Sequence, residues 1–149
     1  MGQYYLIVNL DKKQFLHPHK CGDGLKLLEF GCSANGTLTA LAILLADGNN
    51  RGGGDLRSDH PIIGSWAGDR IVIAGDYADE GKFTGDPSRN LYRLADEEFA
   101  DISRQALRAM ADDCYLAEEM KRNTTWEAEH SQPVYDYAMG GTPQLQLIK

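Results

Sequence analysis

The apolar and polar positions change period several times along this chain. Residues 3–9, QYYLIVN, form an aromatic and β-branched run; after Asp11-Lys12-Lys13 a shorter extended run begins at Gln14. Two such runs joined by a short polar turn predict a β-hairpin. Residues 37–47, TLTALAILLAD, are too uniformly apolar for a surface helix. They predict a mostly buried helix over about 36–47, capped by Asn35 or Thr37 and ended by Gly48. After a glycine-rich stretch, Ile71-Val72-Ile73 between Gly68 and Gly75 predicts a central strand. A short strand is expected at 90–94. From about 97 to 121, Phe99, Ile102, Ala106, Met110, Cys114 and Ala117 recur at spacings of three and four, the stripe of one long amphipathic helix. Glu97 and Glu98 lie in its first turn and Lys121 and Arg122 in its last, the polarity a helix dipole favours. VYDYAM and QLQLI around GGTP predict a second hairpin.

These elements lack the regular β-α-β alternation of a doubly wound parallel sheet. The expected class is α+β, a mainly antiparallel sheet carrying helices on one face. A length of 149 residues fits a single domain over 1–149, able to bury about two thirds of the surface its unfolded form exposes. No apolar run approaches the length of a membrane span, so no membrane partner is expected. The start, MGQYYLIVNL, lacks the features of a secretory leader, and Leu6 stands where a myristoylation signal needs Ser or Thr. With three cysteines, an odd number, reduced thiols and a cytoplasmic location are expected.

The net charge of -7 is one-sided. Acidic and basic residues balance over 1–75, and the whole acidic excess lies in 76–149. That sign argues against free nucleic acid as a partner and favours a protein with a basic surface. Within the acidic half, Asp76, Asp79, Glu80 and Asp86 share one predicted loop and form the candidate protein-binding surface.

Arg51-Gly52-Gly53-Gly54-Asp55 is the best local candidate for a ligand. Consecutive glycines let backbone N–H groups converge on an anion, and Arg51 adds a charged fork, although neither the P-loop nor the dinucleotide pattern is matched. The same stretch begins like a calcium loop at Asp47, Asn49, Gly52 and Asp55, but Arg51 is a cation among the would-be ligands and Ser58 replaces the bidentate Glu. His17, His19 and Cys21 alternate, and on an extended strand they would share one face as metal ligands, with Asp23 or Cys32 as a fourth. A hairpin end followed by a loop is the preferred explanation of them, and no cofactor is implied. Asp69 and Asp76 flank the strand at 71–73 and lie too far apart to act together. Ser65 lacks the glycines of a nucleophile elbow, and Cys114 on the apolar stripe reads as a packed thiol. Trp66, Trp126 and Tyr4, Tyr5, Tyr77, Tyr135 and Tyr137 serve either as core or as a binding surface.

MGQYY with Val8-Asn9, Leu16-His17-Pro18, Gly24-Leu25-Lys26-Leu27, RGGGD, and Trp66-Ala67-Gly68-Asp69-Arg70-Ile71 through Gly75-Asp76-Tyr77 resemble a family of small uncharacterised proteins of bacterial and phage genomes. The resemblance covers about the first half and assigns no catalytic residue. The resulting expectation is a non-enzymatic binding or regulatory protein. Were it phage-borne, it would act in the host cytoplasm, inhibiting a host defence complex through acidic groups placed where phosphates would sit. The alternative is sequestration or hydrolysis of a nucleotide or other phosphorylated small molecule at the glycine-rich loop.

Overall fold

The computed structural model describes residues 2–33, 35–127 and 130–140. It is an α+β fold around a four-stranded mixed sheet in the order β3-β1-β2-β4. The first hairpin forms as expected: β1 (Tyr5–Asn9) pairs antiparallel with β2 (Gln14–Leu16), placing Ile7 opposite Leu16. Lys13 takes the left-handed conformation at the turn (φ 57°), and Asn9 Oδ1 accepts from Lys12 N at 2.8 Å. β3 (Ile71–Gly75) pairs antiparallel with β1 but is an edge strand rather than a central one. Its β-branched run reports strand propensity and says nothing about its lateral neighbours: Ile71 and Val72 are half-buried and Ile73 is exposed. β4 (Ala100–Asp101) lies parallel to β2, so the sheet is mixed where an antiparallel one was expected.

Alternate side chains of β1 feed two cores. Leu6 and Val8, with Phe15 and Ala74, pack against Leu91 and Ala95 of α3 (Leu91–Glu98). Ile7 and Leu16 point the other way. Their cluster contains Phe30 of α1 (Leu27–Gly31), Leu44 of α2 (Thr37–Leu45), Leu107 of α4 (Ser103–Met110), Met120 of α5 (Cys114–Arg122) and Tyr137 of α6 (Val134–Gly140). Helices therefore cover both faces, α3 alone on one and five on the other, in place of the one-sided arrangement expected.

The single helix expected at 97–121 is divided among the end of α3, β4, α4 and α5, and its stripe explains the division. Phe99 packs with the α3 core while Ile102, Ala106 and Met110 belong to the opposite one, so the chain must cross the sheet between 99 and 102. It does so along β4. Ser103 N donates to Asp101 Oδ1 and His17 N donates to Ser103 Oγ, fastening the crossing to the end of β2. The second break is a cap: Asp113 Oδ1 accepts from Tyr115 N (2.9 Å) and Leu116 N (3.1 Å), starting a new helix. Cys114 is consequently exposed rather than packed.

The strand expected at 90–94 is the start of α3, because Leu91 and Ala95 are spaced to share a helical face. VYDYAM is likewise helical: Val134, Tyr137 and Ala138 at i, i+3 and i+4 are all buried. The QLQLI half of that expected hairpin lies outside the described residues. α2 forms where a helix was expected, burying Thr37, Ala40, Ile43 and Leu44 while Ala42 and Leu45 reach solvent, but neither Asn35 nor Thr37 caps it and it ends at Leu45, ahead of Gly48. Its cap comes from afar: buried Asp23 accepts from Thr37 N at 2.8 Å and Thr37 Oγ1 at 2.7 Å. Gly36 allows this approach, since a Cβ there would stand 2.4 Å from Asp23 Oδ2.

Asn90 joins two elements through one buried side chain. Its Oδ1 accepts from Arg93 N as the cap of α3, and its Nδ2 donates to the carbonyls of Asp76 (2.9 Å) and Ala78 (3.1 Å). Asn90→Ala removes the cap and strands two acceptors, so urea unfolding should show a loss of about 2–3 kcal/mol. A change below about 0.5 kcal/mol would mean that water replaces these bonds at no cost.

Candidate functional site

The glycine-rich loop lines an open hollow of about 530 Å³ between α2 and the start of α5. Asn49 builds the base of the loop: its Nδ2 donates to Leu56 O and its Oδ1 accepts from Leu56 N, both at 2.9 Å. Leu56 is buried in the main core and anchors the far end. Inside this closure Arg51 N donates to Asp55 Oδ2 at 2.8 Å and Asp55 N donates to Gly52 O at 3.0 Å. Gly52 (φ 119°) and Gly54 (φ 93°) occupy left-handed backbone that other residues rarely adopt. Gly53 does not, and a Cβ at 53 would meet nothing within 4 Å.

Among the described residues, no acceptor takes the N–H groups of Gly52, Gly53 or Gly54. Ile43 of α2 and Leu56 supply apolar wall, Tyr115 and Leu116 of α5 face them, and Arg57 supplies the cation. Tyr115 is 64 % exposed, leaving most of its ring open to a ligand. A shallower hollow of about 400 Å³ continues along α2 past Leu38, Ala42 and Ala46. Of the five expected ligand residues, the structure places Gly52, Gly53, Gly54 and Asp55 on this groove; Arg51 is exposed and is not among its walls. Arg57, Tyr115 and the capping Asp113 were missed. Asp112-Asp113 ahead of an apolar stretch was the available signal, since a capping residue there would have started a new helix beside the loop.

The four candidate acids are in different situations. Asp76 Oδ1 accepts from Tyr4 N at the end of the β1–β3 pair. Asp86 accepts from Ser88 N, Ser88 Oγ and Arg89 Nε, and the Ser88 hydroxyl and amide, with Arg89, hold its carboxyl at about 2. Arg89 also reaches Glu98 at 2.7 Å and Glu97 at 3.0 Å. Of these four, Asp79 and Glu80 stand exposed without an ion pair or side-chain hydrogen bond to any described residue. A second hollow, of about 540 Å³, includes Asp86 with Lys13, Arg70, Phe83, Arg89 and Glu98; most of its charges are already matched to one another or to Asp11.

His17, His19 and Cys21 do not share a strand face, because a 3-10 turn (Pro18–Cys21) begins directly after His17. Cys21 is fully buried, which pushes its thiol above the ordinary range, and Asp23 is engaged by Thr37 while Cys32 is exposed. Among the described residues no three His, Cys, Asp or Glu side chains are placed to hold a metal. The calcium-like stretch is similarly committed: Asn49 binds Leu56, Asp55 binds Arg51 N, and Ser58 Oγ donates to Asp112 Oδ2. Asp69 accepts from Asn9 and Lys12 at one end of β3, with Asp76 at the other end. Trp66 is core, donating Nε1–H to Gln14 Oε1, whereas Trp126 is half exposed and stacks on His19 with centroids 5.9 Å apart.

Around the 3-10 turn lies a polar and aromatic cluster that no spacing announced. Lys20 Nζ is 3.4 Å from Asp101 and 3.8 Å from Glu127, and the Arg104 guanidinium sits 4.2 Å from the Tyr137 ring centroid. His17 Nδ1 is buried there with no partner among the described residues.

Comparison with protein-family models, curated proteins and solved structures finds no match to this chain. Among the described residues no helix is long and apolar enough to cross a membrane.

Burial lowers the His17 pKa to about 4; the negative field of Asp101 opposes the shift, and Lys20 and His19 reinforce it. Between pH 4 and the ordinary value of 6.5 the unfolded chain binds a proton at His17 that the folded chain refuses. Stability should therefore fall as pH drops through that window and level off below it, by at most about 3 kcal/mol. Urea unfolding from pH 7 to pH 4 should show a steeper loss for the native chain than for His17→Phe. Parallel curves would show that His17 protonates equally well in both states.

Proposed function

We propose that this protein is a binding protein whose site is the groove formed by the glycine-rich loop, α2 and α5, and that its ligand is a small molecule joining a phosphate or other compact anion to a flat apolar group. The reading is carried by the three glycine N–H groups that no acceptor among the described residues takes, on the wall of an open hollow. Consecutive free N–H groups suit an anion. Arg57 adds a charged donor, and the exposed Tyr115 ring opposite Ile43 and Leu56 suits a ring system. The volume lies within the usual range for small-molecule sites, about 300–1,000 Å³. A nucleoside phosphate combines both recognition features.

The test is thermal shift and titration calorimetry with nucleoside mono-, di- and triphosphates and with inorganic phosphate. A nucleoside phosphate should raise the melting temperature, with stabilisation approaching about 2.7 kcal/mol at a hundred times Kd. Gly53→Leu, which adds a bulky side chain on the groove wall at a position where a Cβ meets no other atom, should abolish the shift without lowering the melting temperature of the free protein. Arg57→Ala and Tyr115→Ala should each weaken binding at least about tenfold, and Arg51→Ala should change it little. No shift with any of these compounds at millimolar concentration, or a shift that survives Gly53→Leu, would refute the proposal.

A second reading is supported by the exposed Asp79 and Glu80, which pair with none of the described residues, beside exposed Tyr77: a protein partner with a basic surface would be met there. Such a complex should weaken steeply with salt and with Asp79→Asn/Glu80→Gln, and indifference to both would eliminate it.

A further inference from the structure

β3 leaves one side of its backbone unpaired. Leu10 N donates to Arg70 O and Asp76 N donates to Tyr4 O, so the even-numbered residues from 70 to 76 turn their backbone groups toward β1. In an antiparallel pair the intervening residues turn theirs away. Ile71, Ile73 and Gly75 therefore face outward, and among the described residues their N–H groups have no acceptor. Only Gly75 O is engaged there, by Ala78 N at 3.1 Å. Natural edge strands are commonly guarded by charges, prolines, bulges or short length. The opposite edge, β4, is two residues long, whereas IVIAG carries no charge and no proline, and Ile73 is 41 % exposed.

We propose that this edge pairs antiparallel with the same edge of a second copy of the chain, around a two-fold axis through Ile73. Self-complementarity argues for this occupant. With Ile73 opposite itself, Ile71 meets Gly75 of the second copy and Val72 meets Ala74, so the outward N–H and C=O groups fall into register, Gly75 O accepting through its second lone pair beside the bond from Ala78 N. The same register sets Arg70 opposite Asp76 of the second copy, twice. Arg70 is 73 % exposed and uses Nε and Nη2 on Asp11, and Asp76 uses Oδ1 for Tyr4 N; among the described residues Arg70 Nη1 and Asp76 Oδ2 have no partner. Both lie on the face carrying Val72 and Ala74, so the charges meet as cross-strand neighbours. The resulting sheet is continuous through eight strands, with the same patch used by both copies, as two-fold symmetry requires. This interface does not depend on the ligand groove.

Sedimentation velocity of the full chain from micromolar to near-millimolar concentration, under reducing conditions that exclude disulfides of Cys32 and Cys114, is the direct test. Mass should rise from 16.5 kDa toward twice that value with concentration. Ile73→Lys should weaken association at least about tenfold while leaving the circular dichroism unchanged, because that side chain already reaches solvent. Amide exchange at Ile71 and Ile73 should slow as the dimer fills and stay fast in Ile73→Lys. A 16.5 kDa particle at every concentration overturns the proposal. So does a dimer that Ile73→Lys leaves intact, and so does protection of these amides in a particle that stays monomeric.

Discussion

The structure depends on β1 serving two cores at once. Leu6, Ile7, Val8 and Asn9 are wholly buried, and alternation sends Leu6 and Val8 toward α3 and Ile7 toward the five-helix side. Each such side chain contributes about 1.5–3 kcal/mol by leaving water. A slip of one residue would exchange the two sets and place every side chain against the wrong partners. The register is held at the polar end by Asn9, whose side chain accepts from Lys12 N and donates to Asp69, tying the hairpin turn to the start of β3.

From that arrangement follows the route of the second half of the chain. Having placed α3 on one face, the chain must reach the other to bury Ile102, Ala106 and Met110, and β4 beside β2 is the passage. The Asp101, Ser103 and His17 contacts secure the crossing and leave a mostly buried histidine at its centre. After α4, the Asp113 cap redirects the chain and brings Tyr115 beside the glycine loop. The groove beside the glycine loop is thus a consequence of how the helices are divided.

Charge is distributed by the same logic. The acidic excess of residues 76–149 reads as a uniform field, yet Asp76, Asp86, Asp101 and Asp113 accept hydrogen bonds that shape turns and helix starts. Exposed pairs such as Arg93 with Glu97 or Lys121 with Glu118 add little, since solvent screens them and two long side chains must be ordered. The carboxylates left for a partner are fewer than the composition implies.

The α+β class, the first hairpin, the helix near 37–45 and the glycine-rich loop that follows it were all legible in the chain, because each rests on local period or on backbone freedom that glycine supplies. Tertiary structure alone decided that the stripe from Phe99 to Ala117 is broken, that β3 lies at an edge, and that Asp23 caps α2. Helical spacing shows that residues share a direction, and it cannot show that two of them belong to cores on opposite faces of a sheet. The groove follows the same division: its glycines were visible as glycines, while Arg57, Tyr115 and the apolar wall are neighbours only because the chain crosses the sheet and starts again at Asp113.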